Sequence, residues 1–91
     1  MKIGLSKNER LLAVIRDRST LLFRGYVEAV SSLNDKGPFD VLPRHENFIS
    51  LIKDFIVMHL SGGQEKRIEI GSGGVLKVKD NNVEIYLGIL R

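Results

Sequence analysis

The sequence predicts an all-β domain, a flattened antiparallel β-sandwich or barrel of about eight to ten short strands. Three observations lead there. Apolar residues alternate with polar ones at a period of two, the alternation breaks at glycine or asparagine about every ten residues, and the segments between breaks are too short for helices and rich in β-branched residues. Gly-Gly and Asn-rich breaks tolerate positive φ, as antiparallel hairpins require.

Along the chain, Leu11 to Arg16 is the first strand, and Tyr26 to Ser32 is a second whose alternation slips between Val27 and Val30, as at a bulge. Asn34-Asp35-Lys36-Gly37 is a turn. Phe39 to Leu42 is a short strand stopped by Pro43, and Phe48 to Ile52 another stopped by Lys53-Asp54. Ile56, Met58 and Leu60 then alternate up to Gly62-Gly63, Ile68 and Ile70 up to Gly71, Leu76 and Val78 up to Asp80-Asn81-Asn82, and Val83, Ile85 and Leu87 share a last face. A helical period also fits Asn47 to Met58 through Phe48, Ile49, Leu51, Ile52, Phe55 and Ile56. Single-sided apolar strands are buried only by stacking two sheets or closing one, hence the sandwich.

The 91 residues suit one domain, with 43% hydrophobic and 27% charged residues, the balance of a folded chain. Residues 1–10 read as a polar extension and residues 11–91 as the sandwich. The absence of cysteine excludes disulfides and thiolate metal sites. The longest apolar run, Leu11 to Ile15, is far short of the roughly 20 residues that cross a bilayer, and no secretory leader is read, so no direct membrane insertion is expected. The net charge of +3 is uneven: Lys2, Lys7, Arg10, Arg16, Arg18 and Arg24 face only Glu9 and Asp17 in the first quarter. Such a surplus suits nucleic acid, anionic lipid, an acidic protein surface or plain solvent.

No constellation points to catalysis. Gly71-Ser72-Gly73-Gly74 has the composition of a phosphate cradle, but a strand follows it where a cradle needs a helix N-terminus, so a tight turn with close backbone approach is the better reading. His45-Glu46 lacks a second histidine at helical spacing, since His59 lies fourteen residues on. No serine sits at a strand-to-helix elbow. The expectation is no enzyme, no metal and no cofactor. Small basic barrels do bind single-stranded nucleic acid through aromatic platforms, which is the alternative reading, but Phe23, Tyr26, Phe39, Phe48, Phe55 and Tyr86 fall singly along the chain and no nucleic acid is expected.

One ordered set of segments is distinctive: Leu22-Phe23-Arg24-Gly25, the strand Tyr26 to Ser32, Gly37-Pro38-Phe39-Asp40-Val41-Leu42-Pro43-Arg44-His45, Phe48 to Ile52, Gly73-Gly74-Val75-Leu76-Lys77-Val78 and Asn82-Val83-Glu84-Ile85. In this order and spacing the chain resembles the N-terminal β-sandwich domain of the epsilon subunit of F-type ATP synthase, the delta subunit of mitochondria. Arg44 departs from the family's usual small residue, often glycine, Glu46-Asn47 from a small or proline-containing pair, and Pro38 from a polar residue. The resemblance implies a non-catalytic rotor subunit that couples the gamma subunit to the c-ring in a proton- or sodium-translocating complex, at the cytoplasmic face of a bacterial membrane. It implies gamma contacts at Asp17, His45 and Ser50, c-ring contacts at Asp35, Lys36, Gly37 and Pro38, and an interface rim at Arg44 and Glu46. The family's C-terminal helical hairpin, with its inhibitory and nucleotide-binding roles, is not implied for these residues.

Overall fold

A computed structural model describes residues 10–88. The residues before Arg10, with Lys2, Lys7 and Glu9, and those after Gly88 lie outside the described part, as does nearly all of the expected polar extension. Seven strands follow in order: β1 (Leu11–Asp17), β2 (Thr20–Val27), β3 (Ala29–Asn34), β4 (Gly37–Val41), β5 (Phe48–His59), β6 (Glu65–Lys79) and β7 (Asn82–Leu87). The helical content of the described residues is a single 3-10 turn, Ser61–Gly63, between β5 and β6.

All seven strands form one hydrogen-bonded sheet, ordered β2-β1-β7-β6-β5-β3-β4, antiparallel except for the parallel pair β1–β7. The sheet becomes two layers because its two longest strands bend together. In β5 the register slips around Asp54, which has φ 72°, and in β6 Gly71 and Gly73 take φ 56° and 104° opposite that point. One layer is β4, β3 and the second half of β5 (Phe55 to His59) against the start of β6; the other is the first half of β5, the end of β6, β7, β1 and β2. Side chains from both layers meet in one core: Leu11, Ala13, Ile15, Leu76, Val78, Val83 and Ile85 from one, Val30, Val41, Ile56 and Met58 from the other. Each fully buried aliphatic side chain contributes about 1.5–3 kcal/mol relative to exposure.

The all-β sandwich is as the sequence predicts, but the segmentation differs. Phe48 to Ile52 and Ile56 to Leu60 are not separate strands: β5 runs through Lys53-Asp54, because a bulge absorbs the irregularity without ending the pairing. Gly71 likewise interrupts the alternation inside β6 rather than terminating it. Conversely, Tyr26 to Ser32 is two strands: the slip between Val27 and Val30 marks the passage from one layer to the other, where Glu28 N–H donates to the His59 carbonyl at 2.8 Å. The helical period over Asn47 to Met58 is overridden because Phe48 to His59 pairs with β6 along most of its length and its second half pairs with β3 as well.

The bend depends on missing side chains. A Cβ on Gly73 would lie 1.7 Å from the Ile52 carbonyl oxygen, and one on Gly74 would lie 2.3 Å from that of Tyr86. The glycine run is therefore a close backbone crossing, with no helix after it to cradle a phosphate. Gly74→Ala is expected to cost about 1–3 kcal/mol, lowering Tm by several degrees in a thermal melt; an unchanged melt contradicts this account of the crossing.

Candidate functional site

The loop between β4 and β5 is fastened to the β6–β7 turn. Arg44 N–H donates to Asn81 Oδ1 at 2.6 Å, and Asp80 N–H donates to Asn47 Oδ1 at 3.4 Å. His45 lies between these ties, its backbone N–H bonded to the Leu42 carbonyl and its Nδ1–H donating to the Glu46 carbonyl at 2.7 Å. The imidazole meets the Phe48 ring edge-on at 5.4 Å, and Phe48 meets Phe39 of the other layer in the same manner. His45 is thereby held in one orientation, half-buried, with Arg44 and Glu46 exposed on either side.

The β3–β4 turn is braced from beneath. Asn34 Oδ1 accepts from Lys36 N–H at 2.9 Å, while Asn34 Nδ2 donates to Ser50 Oγ at 3.1 Å, and Ser50 Oγ–H in turn donates to the Leu51 carbonyl. Ser50 thus joins the two layers under the turn. Asp35 pairs with Lys53 at 3.7 Å, an exposed contact worth about 0–1 kcal/mol. Gly37 takes φ 118°, and Pro38 is exposed beside it.

Asp17, His45 and Ser50 do not form one patch. Asp17 stands in a row with Leu87, Gly74 and Ile52, at the end of its layer where the bend and the Asp35–Lys53 pair lie. His45 precedes Phe48, whose row continues through Val78 and Val83 to Ala13 at the opposite end. The turn of Asp35, Lys36, Gly37 and Pro38 and the hairpin beginning at Asp17 therefore share one end of the sandwich, and the group Arg44-His45-Glu46 occupies the other.

The outer faces of the two layers differ in kind. On the β4-β3-β5-β6 layer, polar side chains satisfy one another across four strands: Ser31 Oγ–H donates to Asp40 at 2.5 Å and lies 2.7 Å from His59 Nε2, whose Nδ1 is 3.3 Å from Glu65. Arg67 pairs with Glu69 and stacks 4.5 Å over Phe55. The other layer presents apolar groups: Ile49 is 68% exposed, Leu51 62% and Tyr86 37%. Cross-strand register aligns Leu51, Val75, Tyr86, Arg16 and Leu21 on one row of that face, with Ile49, Lys77, Glu84, Val14 and Arg24 on the next. Sequence reasoning did not single these residues out as a site; the signal available was that Phe48 to Ile52 is apolar on both faces, as in a strand covered on both sides.

The rings an aromatic platform for single strands would use are engaged within the domain. Arg10 lies over Tyr26, Lys66 over Phe23 and Arg67 over Phe55, while Phe39 and Phe48 pack on each other. His45 and His59 sit in different environments, and no group of three or more potential metal ligands occurs among the described residues.

The family model for the ATP synthase delta/epsilon chain β-sandwich domain matches residues 13–88. The chain belongs to this family. An ATP synthase epsilon chain from a Nitratiruptor species is 36% identical over 56 residues, covering 60% of this chain and 43% of that one. Two solved chains share the fold: one from the mitochondrial ATP synthase of Euglena gracilis, in a structure that includes the c-ring, with TM-score 0.80, 20% identity and coverage of 88% of this chain and 51% of that one; and one from the central stalk and c-ring of the Tetrahymena thermophila enzyme, with TM-score 0.70, 12% identity and coverage of 90% and 66%. The chain thus spans about half the length of relatives it matches.

Within this delta/epsilon sandwich, Arg44 has φ 67°, a left-handed conformation that costs an L-residue about 1 kcal/mol and glycine almost nothing. Arg44→Gly is expected to keep the fold and leave Tm unchanged or slightly raised; a marked fall would show that the arginine side chain stabilises the loop.

Tyr86 donates to Glu84 at 3.0 Å, and this bond, then burial, then the carboxylate charge push the phenol above its ordinary value, with Arg16 opposing. A phenol that binds its proton more tightly when folded stabilises fully below the unfolded pKa of about 10, and that stabilisation is lost as pH rises through the raised folded value. Glu84→Gln should bring the Tyr86 midpoint down, read by an NMR-monitored titration of the ring; an unmoved midpoint contradicts the assignment.

Proposed function

We propose that this sandwich is a non-catalytic component of the central stalk of a rotary ATP synthase, working by docking between the gamma subunit and the c-ring. The observation that carries the reading is the contrast between its two outer faces, one self-satisfied and polar, the other with an uncovered apolar strip of Ile49, Leu51 and Tyr86 bordered by charged residues, in a domain of the delta/epsilon family. A contact that transmits torque must resist shear. A stable interface of about 1,200 Å² or more with an apolar centre and a charged rim suits that task.

In this reading gamma covers Ile49, Leu51, Val75 and Tyr86, and Arg44, His45 and Glu46 form the rim at one end. Asp17 and Ser50 are gamma-side residues at the other end, where Ser50 acts by bracing the β3–β4 turn. Asp35, Lys36, Gly37 and Pro38 meet the polar loops of the ring. The complex is peripheral to a membrane, on the cytoplasmic face of a bacterial cell; no helix among the described residues is long and apolar enough to cross a bilayer.

Co-expression with gamma tests this directly. The chain should co-purify with gamma, Leu51→Asp should abolish co-purification while leaving the thermal melt near that of the parent, and ATP should neither be hydrolysed nor shift Tm. Retention of Leu51→Asp by gamma would move the interface elsewhere, and a clear melting shift with ATP would contradict the non-catalytic role.

A further inference from the structure

We propose that the β1–β2 hairpin is an interfacial anchor that adsorbs the domain to anionic lipid headgroups. The arginines of the first quarter are not among the residues assigned above to gamma or the ring, although Arg16 and Leu21 stand at the far end of the row that begins at Leu51, and the structure gathers Arg16, Arg18 and Arg24 about this hairpin. Arg18, Ser19, Thr20, Leu21 and Leu22 are exposed without interruption. A strand lying on the sandwich turns every second side chain inward; the start of β2 does not, so the tip stands clear of the core.

Two adjacent leucines are uncovered there, Leu21 at 49% and Leu22 at 40%. Leu22 is left unpaired by a register shift, since Ile15 pairs with Phe23 and Arg16 with Leu21. Around them stand Arg16, Arg18 and Arg24, all exposed and none in an ion pair with a described residue; the ion pairs of the described residues lie at Lys53, His59 and Arg67. The carboxylate nearest the tip in sequence, Asp17, is half-buried beside Gly88.

Leucines flanked by unpaired arginines match a bilayer interface: the apolar groups enter the acyl boundary while guanidinium heads remain at the phosphates. Charge selects the anionic surface, because each cation near such a leaflet strengthens adsorption. Position agrees, since the hairpin lies at the same end as the turn of Asp35 to Pro38. A domain set on the ring by that turn would bring the hairpin to the lipid beside it. Adsorption of this kind does not span the membrane.

Vesicle co-sedimentation of the 91-residue chain tests the proposal without any other subunit, so its failure leaves the stalk reading intact. Binding is expected to vesicles containing about a third phosphatidylglycerol and not to pure phosphatidylcholine, and should weaken steeply in about 0.5 M salt. Replacing Arg16 and Arg18 by glutamine should weaken binding by about fivefold per arginine. The pair Leu21→Ser and Leu22→Ser, whose side chains are outside the core, should retain the melt and also reduce binding. A chain that stays in the supernatant with anionic vesicles overturns the proposal. So does equal binding to neutral vesicles, or undiminished binding of the leucine variant. If the leucine pair weakens co-purification with gamma while vesicles fail to bind, the hairpin serves a protein and the proposal is wrong.

Discussion

The architecture depends on two backbones passing closer than side chains allow. At Gly73 and Gly74 the chain of β6 lies against the carbonyls of Ile52 and Tyr86, so β5 and β6 bend as a pair while keeping most of their pairing. A flat sheet of seven strands would leave both faces in water; one that bends through its two longest strands closes Leu11, Ile15, Leu76 and Ile85 over Ile56 and Met58. Bulging at Asp54 and glycine at Gly71 and Gly73 supply the curvature. The cost is a locally interrupted ladder, offset by a shared core.

Closing the sheet also sorts the surface. The four-strand side settles its charges internally, with Ser31 between Asp40 and His59 and His59 beside Glu65, and so has little to offer a partner. The five-strand side leaves Ile49, Leu51 and Tyr86 open, an apolar arrangement that a domain alone in water keeps at some risk of aggregation. The two ends are separately specialised. One is stiffened by Arg44 and Asn47 tied to the β6–β7 turn, and the other by Ser50 under the β3–β4 turn.

The candidate site was only partly legible in the sequence. The turn Asn34 to Gly37 and the loop around His45 were visible, because asparagine, glycine and proline act on their own backbone and neighbours. The separation of Asp17 from His45 was not, since it follows from β1 running parallel to β7, a pairing between segments at opposite ends of the described chain. Nor was the Ser31, Asp40, His59 and Glu65 network, whose members come from four strands and share no local spacing.

By itself the sequence determined that the chain would be strands, that Val83, Ile85 and Leu87 would share one face, where the Asn34 to Gly37 and Asp80 to Asn82 turns fall, and the family through its ordered segments. Those are local properties, set by a period of two and by residues that tolerate or forbid particular φ values. Only the tertiary structure decided that apparent strand ends at Lys53 and Gly71 are bends, that the slip at Glu28 changes layer, and that Ile49 and Leu51 face solvent while Ile52 faces the core. Alternation states that a residue has a face; which face is buried is decided by the partner strands that close over it, and those are chosen across the whole chain.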